Sequence, residues 1–413
     1  MNKNNKKSGS KLDSIVTANS MTPKLIIGID ATNLRSGGGV THIVELVSAA
    51  ELANHGITKV IIWGGKPMLE KLPEHTWLDK ISPPALNRGL LARTIWQRFK
   101  LGRVASAEQC DVLFVPGGSY AGSFRPIVTM SQNLLPFEWR ELRRFGWSWL
   151  TLKCVILRIT QSHTFRRADG LIFLTRYAKE AVMRVIKATA GKTMIVPHGI
   201  DDRFVHPPRE QLPINCYSVD RPFRVLYVSI IDMYKHQWQV AEAVAQLRKT
   251  GIPVVLDMVG PAYSPAMLRL NATLDRIDPA RQFVRYTGPL PHGELHARYA
   301  EAELCLFASS CENLPNILLE GMASGLPIAC SNCGPMPEVL GDAGVYFDPE
   351  NPDDIARALR ELIDFPELRA QMAKASFELS QAYSWRRCAS ETFGFLTSVT
   401  VNAERRSINR DLF

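Results

Sequence analysis

The chain has 413 residues, 46% of them hydrophobic, which exceeds what one ordinary domain needs and suffices for two sizeable cores. Its net charge of +9 is unevenly divided: residues 1–200 carry 28 basic and 13 acidic side chains, residues 201–413 carry 21 and 27. No run of about 18 apolar residues occurs, because the best stretch, Leu150 to Ile159, is broken by Lys153 and Arg158; a membrane-spanning helix is therefore excluded.

Residues 1–22 are polar and basic, with Lys3, Lys6, Lys7 and Lys11 and no apolar core of the kind a signal peptide carries, and are expected to form a disordered tail. Without an export signal, the eight cysteines are expected as free thiols in a reducing cytoplasm. From Lys24 the pattern alternates. A β-branched run to Asp30 leads through the loop Gly37-Gly38-Gly39 into helical spacing over Val40–Leu52, and further strands are predicted at Val60–Trp63, Val112–Val115, Ile127–Met130, Leu171–Leu174 and Met194–Val196. Residues 23–200 thus read as one parallel α/β domain.

Pro207, Pro208 and Pro213 mark residues 201–221 as a linker. The alternation restarts with strands predicted at Phe223–Ser229, Val254–Val259, Phe283–Thr287, Leu304–Ala308 and Pro327–Cys330, each followed by a helical segment, so residues 222–382 read as a second Rossmann-like domain. Asn351-Pro352-Asp353-Asp354 predicts a helix start, with a capping Asn, Pro at the first position and acids where the helix dipole favours them.

The most informative stretch is Cys311 to Ile328, CENLPNILLEGMASGLPI, a polar turn at the carboxyl end of a strand followed by a helix. Open α/β sheets bind ligands at that end. Glu312 in the turn and Glu320 about one helical turn beyond Asn316 can face one crevice, and the amides of Leu314, Asn316 and Ile317 at the helix start can receive a diphosphate.

With Glu312, Glu320 and Gly325-Leu326-Pro327, the sequence resembles the family 4 retaining glycosyltransferases, whose fold is GT-B, two Rossmann-like parallel-sheet domains facing across a cleft. The resemblance implies that Glu312 bonds hydroxyls of the donor sugar, that Glu320 bonds the ribose, and that Asn313, Leu314, Asn316 and Ile317 lie along the diphosphate. Val228 to His236 resembles the turn where the family places an arginine and a lysine; Lys235 aligns with the lysine, whereas Ile230 stands where the arginine is usual. Gly37, Gly38 and Gly39 match a loop that touches donor and acceptor, and Gln132 or Asn133 stands where many relatives carry a histidine. Val196-Pro197-His198-Gly199-Ile200, Gly334 to Glu338 and Tyr383-Ser384-Trp385 match the interdomain segment, a loop near the donor, and the start of a terminal helix over 383–413 that returns to the first domain.

The activity so implied is transfer of a hexose from GDP-mannose or a UDP-hexose to a lipid-linked or other glycan acceptor in cell-surface polysaccharide biosynthesis. No cofactor and no metal are expected, since Lys235 and helix amides take the metal's place. Residues 139–192 hold 12 basic side chains against three acids, with Trp139, Trp147 and Trp149 among them, a composition that suits an anionic membrane surface better than nucleic acid. A peripheral location at the inner face of the plasma membrane follows. The alternatives are a GT-B nucleotide-sugar epimerase and a nucleotide-sugar-binding module without catalysis. Cys330 and Cys333 form a lone CxxC, and His163, His198 and His236 are scattered, so neither set reads as a metal site.

Overall fold

A computed structural model describes residues 24–35 and 37–411, so the basic segment 1–22 lies outside the described residues. Seven strands form the first sheet: β1 (Leu25–Ala31), β2 (Ile57–Gly64), β3 (Leu78–Ile81), β4 (Val112–Val115), β5 (Ile127–Met130), β6 (Gly170–Phe173) and β7 (Lys192–Ile195). All pair in parallel in the order 3-2-1-4-5-6-7, Ile27 of β1 lying between Val60 of β2 and Val112 of β4. The second sheet contains β8 (Phe223–Val228), β9 (Val254–Val259), β10 (Val284–Gly288), β11 (Leu304–Phe307), β12 (Ile328–Ser331) and β13 (Val345–Phe347), parallel throughout in the order 10-9-8-11-12-13. Both are doubly wound. Their strands are near-continuous apolar runs because helices cover both faces.

In each sheet the strand order reverses beside the first strand of its domain, between β1 and β4 and between β8 and β11. Chains leaving opposite sides of such a switch open a crevice at the carboxyl ends. The two crevices face one another across the cleft.

Two crossings join the domains side by side. The Ile200 amide donates to the Tyr383 carbonyl at 3.2 Å, and Ile200 bridges Ser384 in parallel. A Cβ on Gly199 would stand 2.1 Å from the Trp385 backbone nitrogen, which is why glycine follows His198. Helix Trp385–Asp411 then packs on the first domain, where Phe395 and Val399 lie against Gly170 and Arg386 pairs with Glu51. Gly325 has a similar reason. It adopts φ +63°, and a Cβ there would stand 2.6 Å from the His206 carbonyl oxygen.

The linker is pinned by Arg369, a fully buried cation. Its guanidinium donates to the carbonyls of Leu362 at 2.6 Å and Ile363 at 2.7 Å, to the Leu212 carbonyl, and to Gln211 Oε1 at 3.2 Å. It thereby closes the carboxyl end of helix Pro352–Asp364. Arg369→Ala leaves those carbonyls dry and unpartnered and is expected to cost about 3 kcal/mol or more, seen as a lower denaturant midpoint.

Candidate active site

The β8-to-helix turn sets Lys235. His236 adopts the left-handed conformation, φ 55° and ψ 30°, just before helix Gln237–Lys249, reversing the chain so that Lys235 points under the cleft. Two bonds hold this uncommon geometry. Tyr227 donates to the Lys235 carbonyl at 2.6 Å, and the His236 ring meets Ser310 Oγ at 2.9 Å. The Lys235 ammonium is buried, contacts the Glu312 carboxylate, and lies over the Tyr234 and Phe307 rings at 5.3 and 5.1 Å. Each of these ions is the other's counter-charge.

Glu312 belongs to the turn after β11, and helix Asn316–Ala323 follows. The amides of Leu314 and Ile317 donate to no protein acceptor among the described residues, as an anion site at a helix start requires. The Asn316 amide differs from expectation: it donates to the Leu314 carbonyl at 3.0 Å and is not open to a ligand. Asn313 reaches across the cleft, its amide nitrogen donating to the Ser131 carbonyl at 2.6 Å, while its carbonyl accepts from Thr175 at 3.0 Å. Its Oδ1, like that of Asn316, is buried without a partner.

Glu320 is buried one turn farther along that helix, where Tyr299 donates to Oε2 at 3.1 Å and His292 lies 3.3 Å from Oε1. The hydrogen bond to Glu320 raises the His292 pKa above its ordinary 6.5. Neither His292 nor Tyr299 was predicted. They stand 28 and 21 residues from Glu320, and no motif ties them to it.

A pocket of about 260 Å³ between the domains is lined by Gly38, Gly39, Gln132, Asn133, Glu312, Asn313, Leu314 and Asn316, together with Tyr234 and His198. Eight of the predicted site residues therefore meet in one place. Lys235 reaches it through Glu312, whereas Glu320, Ile317 and Gly37 lie beyond its walls. Ser229 does too, its hydroxyl turned onto the Ile230 carbonyl at 3.1 Å.

Behind the pocket, His42, His198 and Trp385 stack with ring centroids 4.7 Å apart for the histidines and 5.5 Å for His198 and Trp385. Gln132 donates to His42 Nδ1 at 3.2 Å, which leaves the proton on Nε2 and turns the Gln132 oxygen toward Gly39. Burial pushes the His198 pKa down to about 4 and holds His42 well below its ordinary range, so both rings are neutral near pH 7.

The cleft is clasped by charge. Glu338 of the second domain accepts the amides of Arg176 and Tyr177 at 2.8 and 2.9 Å, capping helix Arg176–Ile186 of the first. Beside the Lys235 turn, Ser310 donates to Glu141 at 2.5 Å. Glu141 pairs with Arg144 at 2.7 Å, and Arg144 with Glu350 at 2.5 Å.

Two family models match, "Glycosyltransferase Family 4" over residues 36–204 and "Glycosyl transferases group 1" over residues 216–379, one on each domain. The chain belongs to the family 4 glycosyltransferases. Its likeness to the sucrose-phosphate synthase of Thermosynechococcus elongatus has a TM-score of 0.72 at 18% identity, covering 92% of this glycosyltransferase and 100% of that chain. Alr3699/HepE of Anabaena, solved with UDP, gives 0.65 at 18% identity, covering 91% and 100%. These likenesses establish the GT-B fold. The O-antigen chain mannosyltransferase B of Escherichia coli is 31% identical over 110 residues, 27% of this glycosyltransferase and 29% of that protein. The match thus spans under a third of that relative's length.

Proposed function

We propose that this glycosyltransferase moves a hexose, with retention of anomeric configuration, from GDP-mannose or a UDP-hexose to a lipid-linked glycan in cell-surface polysaccharide biosynthesis. The observation that carries the reading is the Lys235–Glu312 contact at the wall of a pocket shared by both domains, with the Leu314 amide open in that wall and the Ile317 amide open just behind it. The names of its relatives, an O-antigen chain mannosyltransferase among them, support the hexosyl and polysaccharide parts.

The diphosphate lies against Lys235 and the amides of Leu314 and Ile317, Glu312 accepts hydroxyls of the transferred sugar, and Glu320, positioned by Tyr299 and His292, accepts the ribose. Gly38, Gly39 and the Gln132 amide hold the acceptor side. No protein nucleophile is required. The sugar–phosphate bond breaks as the acceptor oxygen bonds the anomeric carbon on the same face, and the departing phosphate takes the acceptor's proton. The protein contributes orientation and preplaced charge. Lys235 and the amides neutralise the leaving group, so a divalent metal is dispensable. The basic, tryptophan-bearing segment 139–192 supports a peripheral location at the inner face of the plasma membrane.

Incubating the chain with a panel of nucleotide sugars and a bacterial lipid extract, in EDTA, tests this. Release of UDP or GDP together with an α-linked glycolipid from an α-linked donor is expected. Donor binding with no transfer to any extract would favour the non-catalytic module, and epimerised donor without acceptor the epimerase.

A further inference from the structure

We infer that two helical segments of the first domain joined through the Ser119–Tyr120 loop, Leu90–Leu101 and Trp149–Arg167, form a face that sinks into an anionic lipid bilayer and sets the cleft mouth at its surface. The inference rests on the proposal that the acceptor is lipid-linked, and it names the surface that brings acceptor and cleft together.

Both segments depart from an ordinary amphipathic helix, because each exposes an apolar stripe besides the residues it buries. Leu91, Ile95 and Phe99, each four residues apart and so on one face, are 75, 50 and 59% exposed. Leu152, Ile156 and Ile159 on the second helix are 50, 50 and 65% exposed, and Trp149 and Trp147 extend that stripe into water. The side turned inward mixes polar with apolar residues: Gln97 is buried beside Trp96 and Leu101 on the first segment, and Gln161, Ser162 and Thr164 beside Cys154 and Phe165 on the second. Gln97 donates to Asp30 at 2.5 Å, and Thr164 accepts the Tyr120 amide at 2.9 Å. Inward-facing glutamine and threonine are already satisfied within the chain, and the leucine, isoleucine and tryptophan stripes left in water have their apolar partner outside it.

Charge decides which partner. Residues 90–107 contain Arg93, Arg98, Lys100 and Arg103, residues 149–167 contain Lys153, Arg158, Arg166 and Arg167, and neither stretch has an acidic residue. A second copy of this chain placed on the same face would set like charges against each other, whereas anionic headgroups complement them and the apolar stripes enter the acyl boundary.

The location fits the site. Arg93 donates to the Thr32 carbonyl at 3.2 Å, in the loop that leads from β1 to Gly38 and Gly39. Arg158 donates to the Pro136 carbonyl at 3.1 Å, in the loop that carries Gln132 and Asn133. Both helices are thus tied to the acceptor walls of the pocket, so a lipid anchor left in the bilayer presents its headgroup at the mouth.

Co-sedimentation of the full chain with phosphatidylcholine vesicles, and with vesicles containing phosphatidylglycerol, tests the surface. Binding to the anionic vesicles is expected, weakened about tenfold or more by Leu91→Glu with Phe99→Glu and likewise by Ile156→Glu with Ile159→Glu. Calorimetric binding of UDP or GDP should be unchanged, which also shows the variants folded. Quenching of wild-type tryptophan emission by brominated anionic lipid, reduced by Trp147→Phe with Trp149→Phe, gives an independent reading. Variants that bind vesicles like wild type, unquenched tryptophan, or a solution dimer that the substitutions dissolve would each overturn the inference. If vesicles are ignored while nucleotide is bound, only this surface is wrong; if no nucleotide is bound, the proposed function itself fails.

Discussion

Lys235→Ala is expected to slow sugar transfer about 100- to 1,000-fold, the range for removing one preplaced group that neutralises charge forming in the transition state. The residue is buried, contacts Glu312, and occupies the position otherwise shared with an arginine, where Ile230 now stands. Among the described residues no lysine or arginine lines the pocket itself, and Lys235 stands behind Glu312 at its wall. Glu312→Ala should lose a similar factor through the sugar hydroxyls. Because each substitution also strips the other ion of its partner, the double variant should fall far short of the product of the two losses. Initial rates with saturating donor, compared across the four proteins, check this. Independent, multiplying losses would mean that the pair does not act as a unit.

Acid unfolding between about pH 6.5 and pH 4 is the second large expectation. Burial pushes both His198 and His236 down to about 4 from an ordinary 6.5, and His42 is lowered as well. The unfolded chain binds protons in that window and the folded chain does not, so stability falls as pH drops through it. A shift of this size is worth roughly 3 kcal/mol for each of His198 and His236, together comparable to the whole stability of many domains. The structure explains the depression. Ser310 donates to Glu141 and so accepts from His236 Nε2, leaving Nδ1 buried with no partner for a proton, and stacked His42 and His198 cannot readily carry two charges. Urea midpoints taken from pH 7 to pH 4 should drop steadily. His236→Asn, which tolerates the left-handed backbone and cannot titrate, should flatten the curve.

Much of this was legible because parallel strands buried on both faces read as unbroken apolar runs. β9 coincides with its prediction over Val254–Val259, and the Asn351 cap is present, its side chain accepting the amides of Asp353 and Asp354. β3 escaped notice because Leu78–Ile81 is an edge strand with two charged residues in four, and β13 because it is only three residues long. The Leu90–Leu101 segment was unreadable for the reverse reason. Leu90, Leu91, Ile95 and Phe99 face outward while Trp96 and Leu101 are buried, and a π-helical turn at Gln97–Leu101 breaks the 3.6-residue period. Within the site, Glu312, Glu320 and Lys235 stood out by spacing within a recognisable context. The partners that orient them, His292, Tyr299 and Ser310, come from other elements, and no local pattern announces contacts made only by folding.

The most direct test of the central claim is calorimetric titration of UDP-glucose and GDP-mannose into the wild-type chain and Lys235→Ala, in EDTA. Saturable one-to-one binding of one donor, weakened about tenfold or more by the substitution, is the expected result. No binding by either donor, or binding that Lys235→Ala leaves untouched, would contradict it.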